Sequence, residues 1–185
     1  IVDGELRRRL EATGAVVIEG PKACGKTETA RQIARSEVLL DVDANARAAA
    51  AVAPNTVLAG AVPRLIDEWQ LEPEIWNHIR RAIDERAQAG QFILTGSAVP
   101  ADDITRHTGA ARMTRLRMRP MSLFETGHSS GTISLETLLA QGPHPCPDPG
   151  LTIDDVATRV AVGGWPRHQP LPPPQARQAM RDYLD

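Results

Sequence analysis

The residues best suited to chemistry lie between Gly20 and Thr27. Gly20-Pro21-Lys22-Ala23-Cys24-Gly25-Lys26-Thr27 has the spacing G-x-x-x-x-G-K-[ST], and each fixed position has a physical task. A glycine-rich turn aims successive backbone N–H groups into one concavity, and a helix beginning there adds about half a positive charge. That combination holds phosphate. Gly20 and Gly25 allow close backbone approach and positive φ. Lys26 can reach β- and γ-phosphates, and the Thr27 hydroxyl can ligate Mg²⁺. Pro21, Lys22, Ala23, Cys24 and Glu28 complete the wall of the expected cradle. The spacing carries this meaning only between a strand and a helix. Both flanks are correct, with Ala-Val-Val-Ile-Glu over 15–19 before it and a helical pattern after it.

A second centre closes the apolar run 61–68, Ala-Val-Pro-Arg-Leu-Ile-Asp-Glu. A strand delivers its last residues to the carboxyl edge of a parallel sheet, where a phosphate loop also lies. Asp67 is then placed to hold the shell of a Mg²⁺ ion, and Glu68 to orient or deprotonate an attacking water. A plain solvated strand end is the competing reading. The run 91–97, Gln-Phe-Ile-Leu-Thr-Gly-Ser, gives another strand ending in small hydroxyl residues. In additional-strand phosphate-loop ATPases such a strand lies between the two just described, its polar tip near the γ-phosphate or the water. Thr95 and Ser97 are the sensor candidates; capping of the next turn is the alternative.

Residues 106–119 hold Arg106, Arg112, Arg115, Arg117 and Arg119 and no acid. From Thr114 the arginines alternate with Leu116 and Met118, as on a fifth strand at a sheet edge, where charge discourages further pairing. An arginine finger or a basic contact for nucleic acid or another module stays open. Arg112, in the turn before this strand, is expected near the nucleotide edge.

These groups need a frame. Apolar spacing predicts a helix over 6–12, ended by Gly14, with Arg7, Arg8 and Arg9 on its wet side. Further helices are expected over 27–36, with Ala30, Ile33 and Ala34 on one face, and over 45–53, stopped by Pro54. A short strand over 38–40 lies between them. The clearest helix is 74–89, where Ile75, Trp76, Ile79 and Ile83 share a face and Gly90 suits the C′ position. Residues 127–150 read as a Gly/Pro-rich loop. A helix then opens at Thr152 or Asp154, Gly163-Gly164-Trp165-Pro166 breaks it, 170–174 is stiff, and 175–184 is helical again.

The totals set limits. The 185 residues suit one domain plus part of another, and 42% apolar content is ample for a core although aromatics are only 3%. A net charge of −2 argues against a general nucleic-acid coat. Cys24 and Cys146 make neither a disulfide framework nor a metal spacing, which favours a reduced, cytoplasmic setting. The helix end beside Cys24 is expected to lower its thiol pKa. No apolar run is long enough to span a membrane, and no signal peptide is evident. The start at Ile1 and the end in mid-helical pattern suggest a piece of a longer protein.

Taken together, Gly20-Pro21 with Gly25-Lys26-Thr27, Leu65-Ile66-Asp67-Glu68-Trp69-Gln70, Leu94-Thr95-Gly96-Ser97, Arg117-Met118-Arg119-Pro120-Met121-Ser122-Leu123 and Gly163-Gly164-Trp165-Pro166 carry a resemblance. The chain resembles the prokaryotic AAA-type ATP-binding proteins whose ATPase domain precedes a C-terminal domain with a nuclease-like fold. The resemblance implies an α/β fold, a P-loop NTPase of the additional-strand type. It would have a five-stranded parallel sheet in the order 2-3-4-1-5 and helices on both faces. It further implies an ATPase core over 1–126, a loop over 127–150 and the start of a helical module over 151–185. ATP and Mg²⁺ are the implied ligands, the C-terminal domain the implied partner, and a homo-oligomer stays open. Three functions follow: a Mg²⁺-dependent ATPase, a non-hydrolysing ATP/ADP switch, and a small-molecule kinase. The last usually lacks Asp-Glu on a third strand and needs an arginine-bearing lid. No Asn-Lys-x-Asp tetrad for reading guanine occurs, so ATP is favoured over GTP by default.

Overall fold

Short aliphatic runs along the chain become the strands of one parallel sheet. The computed structural model describes residues 1–96, 111–148 and 150–184. Two compact units result, Ile1–Arg119 and Pro120–Asp185.

In the first unit, α1 (Val2–Ala12) leads into β1 (Ala15–Glu19), and α2 (Lys26–Arg31) into β2 (Ser36–Leu39). After them come α3 (Ala44–Val52), α4 (Pro54–Leu58), β3 (Arg64–Asp67), α5 (Ile75–Arg86), β4 (Phe92–Thr95) and β5 (Met113–Arg117). The strands pair in the order β2-β3-β4-β1-β5, all parallel, as expected. From β1 to β2 the chain crosses the sheet one way, and from β2 through β3 to β4 it returns. Right-handed crossovers then require α2 on one face and α3 to α5 on the other. The two cores agree. Val16, Ile18, Leu65, Ile93 and Leu116 pack with Leu6 and Leu10 of α1 and Ala30 of α2. Ala15, Val17, Ile66, Phe92 and Leu94 pack with Ala50, Val57, Leu58, Trp76, Ile79 and Ile83. Adjacent residues of one strand thus serve opposite cores, which is why β1 and β4 read as unbroken apolar runs.

Several element ends differ from expectation, and long-range hydrogen bonds explain them. Helix α2 stops at Arg31 rather than Ser36. The amides of Ile33 and Ala34 both return to Ala30 O at 3.1 and 2.9 Å, and Arg35 N–H donates to Pro63 O at 2.8 Å, starting the next pairing. Helix α5 ends at Arg86, with Ala87 left-handed at φ 49° and its amide on Ile83 O at 2.9 Å. Gly90 is therefore not its cap; its N–H donates to Thr13 O at 2.9 Å. Pro54, read as a stop, also begins α4, a position that needs no N–H. Strand β3 starts at Arg64, after the cis Val62–Pro63 bond, and ends one residue early, at Asp67. Arg9 is not simply wet: its guanidinium donates to Thr114 Oγ1 at 3.0 Å and Arg115 O at 2.7 Å.

The second unit holds α6 (Leu135–Gln141), inside the stretch expected as loop, then α7 (Ile153–Val162) and α8 (Pro173–Leu184). Thr152 and Asp155 form a capping box at the start of α7, the Asp155 amide donating to Thr152 Oγ1 at 3.1 Å and the Thr152 amide to Asp155 Oδ2 at 2.9 Å. Met121 N–H donates to Gly164 O at 2.7 Å, and a methyl on Gly164 would lie 3.0 Å from Pro120 Cβ. Two of the sequence signatures, around Pro120-Met121 and Gly163-Gly164, are thus one packing joint. Trp165 sets its ring against Tyr183 of α8, centroids 5.5 Å apart.

Candidate functional site

The turn between β1 and α2 is shaped by positive φ at Gly20 (159°), Ala23 (61°) and Gly25 (102°). A methyl on Gly20 would meet Met118 O at 2.5 Å and Cys24 Sγ at 3.2 Å, so only glycine fits there. Ala23 holds a left-handed conformation that costs a non-glycine residue about 1–3 kcal/mol. The fold sustains that strain where the loop must turn its amides inward. The first helical bond of α2 is Thr29 N–H to Gly25 O, at 2.9 Å. The amides of Lys26, Thr27 and Glu28 open the first turn, where a helix offers no acceptor of its own. Lys26 is only 6% exposed and donates from Nζ to Gly20 O at 3.0 Å and Pro21 O at 2.8 Å, spanning the loop it serves.

Pro21, Lys22 and Ala23 are exposed. The Glu28 carboxylate points away to Arg31, with 2.8 Å between them. Cys24 is fully buried against the core under β1. Burial pushes its thiol pKa up, which corrects the expectation of a lowered value; nearby Lys26 pulls the other way but does not win.

Asp67 joins the elements. Its carboxylate accepts from Thr27 Oγ1 at 3.1 and 3.3 Å, across 40 residues, and its Oδ1 also accepts from Thr95 Oγ1. Register explains the second bond, since Asp67 of β3 lies directly beside Thr95 of β4. Thr95 is wholly buried, so its hydroxyl serves the carboxylate. Desolvation raises the pKa of Asp67, opposed by the two hydroxyl donors, while Glu68 and Asp41 add a smaller upward push. A hydroxyl and a carboxylate at this distance are hard oxygen donors, which suits Mg²⁺ completed by waters and phosphate oxygens. Among the described residues no cluster of three or more His, Cys, Asp and Glu that could hold a metal occurs, and a site of that composition needs none.

Glu68 lies just past β3 in a left-handed conformation, φ 52° and ψ 41°, rather than on the strand. Its Oε2 accepts from Gln70 Nε2. Gln70 received no role from the spacing rules, although it stands only two residues beyond Glu68. Ser97 and Arg106 lie outside the described residues.

The basic strand stands at the edge of the sheet. Leu116 and Met118 are buried, Arg115 and Arg117 exposed, and Arg115 pairs with Glu19 at 3.0 Å. Arg112 corrects its expectation. Its carbonyl accepts from Ala15 N–H, level with the start of β1, and its side chain donates to Asp84 of α5 at 2.6 Å. It sits at the amino edge of the sheet, a strand length of about 15 Å from the edge that carries Thr27 and Asp67. No helix among the described residues is long and apolar enough to cross a membrane.

Comparison with known proteins gives three findings. A family model described as an AAA domain matches residues 12–127. Uncharacterized proteins of Mycobacterium bovis and Mycobacterium tuberculosis are each 31% identical to the chain over 98 residues, 51% of this chain and 22% of theirs. The chain therefore matches a minor part of those relatives' length. A structure of C. elegans PCH-2 aligns with a TM-score of 0.43 at 12% identity, covering 100% of this chain and 66% of that one.

Proposed function

The chain belongs to the AAA domain family, and from that membership we propose that it is a Mg²⁺-dependent ATPase whose turnover drives or gates a further module. The observation that carries this reading is the meeting of Thr27 Oγ1 and Asp67 at 3.1 Å, beside the amides of the phosphate loop. The tasks divide by chemistry. The loop amides and Lys26 hold the phosphate charge. Thr27 and Asp67 hold the cation, and Thr95 holds Asp67. A Mg²⁺ ion held there would supply positive charge against the charge that develops on the phosphate during transfer. Glu68 takes the proton of the attacking water. Relatives much longer than the matched region, of which the chain covers 22%, support a reading in which hydrolysis is coupled to another part of the protein. Self-association and a C-terminal nuclease-like domain belong to the same proposal, as does a cytoplasmic setting.

The test is Glu68→Gln, whose amide cannot accept that proton. ATP affinity by calorimetry should stay unchanged, while phosphate release falls by about 10²–10⁴. Wild-type turnover in this variant would overturn the reading.

A further inference from the structure

Glu68 does not stand on a strand, so something else must fix its carboxylate. The residue after it, Trp69, is 3% exposed and packs its ring 5.1 Å from that of Trp76 on α5. A short 3₁₀ turn, Trp69–Leu71, follows, closed by Leu71 N–H on Glu68 O at 3.0 Å. Gln70 is thereby carried back over Glu68, and its Nε2 donates to Glu68 Oε2. A carboxylate offers no proton, so the amide must present nitrogen to it and turn its oxygen away. Gln70 Oε1 is buried, with no hydrogen-bond partner among the described residues, and lies over Gly96. A methyl on Gly96 would land on that oxygen and sit 3.0 Å from Gln70 Cδ. The φ of Gly96 lies outside the left-handed region, so backbone conformation does not demand glycine there, and among the described residues the three atoms nearest an added methyl all belong to Gln70.

We propose that Gln70 is a positioning residue for the hydrolytic reaction, its amide holding Glu68 in place from a slot that Gly96 keeps open. This rests on Glu68 being the base. The tip of β4 then sets both acids: Thr95 fixes Asp67, and Gly96 makes room for the side chain that fixes Glu68.

The test measures ATP hydrolysis by wild type, Glu68→Gln, Gln70→Ala, Gln70→Glu, Gly96→Ala and the Gln70→Ala/Gly96→Ala double variant. Gln70→Ala should lower kcat about ten- to a hundredfold, as misplacement of a reacting group does, with KM within about twofold. Gln70→Glu keeps the shape but replaces the donor with a like charge, so it should lose at least as much. Gly96→Ala should reproduce the loss by displacing the amide, and the double variant should fall no further than the single ones. Activity kept by Gln70→Glu but lost by Gln70→Ala would reduce Gln70 to packing and overturn the proposal. Multiplying losses at 70 and 96 would overturn it too. Wild-type kcat in the Gln70 variants beside an inactive Glu68→Gln would remove this inference alone. Wild-type kcat in Glu68→Gln would remove the base assignment and this inference together.

Discussion

The Thr95 hydroxyl donates to the Asp67 carboxylate from the neighbouring strand, at the same level of the sheet. Thr27 approaches the same carboxylate from the start of α2. Asp67 is 7% exposed, and two hydroxyl donors compensate its burial only in part, so its pKa stays raised. In water such a carboxylate is a local defect; opposite a divalent cation it is an asset. The site stores an electrostatic demand that Mg²⁺ would meet.

That demand has a sign that can be measured. Asp67 has an ordinary pKa of 3.8 when unfolded and a higher one when folded. The native state therefore binds this proton more tightly, and its contribution to stability is fully present below 3.8 and is lost as pH rises through the folded pKa. Asp67→Asn removes the titration while its amide oxygen still accepts from Thr95. Urea unfolding without Mg²⁺ should show the variant gaining on wild type as pH rises above 3.8 and then levelling off, with a slope no steeper than about 1.4 kcal/mol per pH unit. A variant that loses stability relative to wild type as pH rises through this range would contradict the raised value.

Lys26→Ala removes the ammonium that lies on Gly20 O and Pro21 O. A hydrogen bond to a charged group is worth about 1.5–3 kcal/mol, so ATP affinity should fall by about tenfold or more. Calorimetry giving equal affinities would refute the phosphate-loop role.

The two cysteines should separate cleanly. Cys24 is buried with a raised thiol pKa, and Cys146 is exposed. An aromatic disulfide reagent at neutral pH should titrate one thiol rapidly in the native protein and both in denaturant. Rapid reaction of both in the native state would show the loop opening to solvent.

How much of this was legible in the sequence depends on the range of the forces involved. The turn from β1 to α2 is a local device, so its glycine spacing and flanking residues were enough to place it between a strand and a helix. The sheet order was available through resemblance, and the two-core packing of Val16 against Val17 follows once that order is known. Helix ends were misread where a distant carbonyl decided them, as Pro63 does for Arg35 and Thr13 for Gly90. Cys24 was misjudged because its neighbourhood in sequence is a polar loop while its neighbourhood in space is core. Gln70 and Gly96 are 26 residues apart, and nothing in periodicity joins a side-chain amide to the glycine that makes room for it.

Thr95, read from the sequence as a sensor or a cap of the next turn, gains from the structure a further role as the donor that holds Asp67. A hydroxyl sensing the γ-phosphate would affect ATP and ADP differently with or without metal. A hydroxyl that holds Asp67, wholly buried and already donating to it, should act only through the cation. Thr95→Val keeps the shape and removes the donor, leaving a buried carboxylate one hydrogen bond short, a loss of about 1.5–3 kcal/mol for a charged acceptor. Part of that loss should appear as reduced stability in the absence of Mg²⁺. Nucleotide affinity in EDTA should match wild type, because the loop amides and Lys26 are untouched, while the gain in affinity on adding Mg²⁺ should shrink. Thr95→Ser retains the hydroxyl and should restore it. A valine variant with full Mg²⁺ enhancement but lost preference for ATP over ADP would return Thr95 to the γ-phosphate and release Asp67 from its dependence on β4.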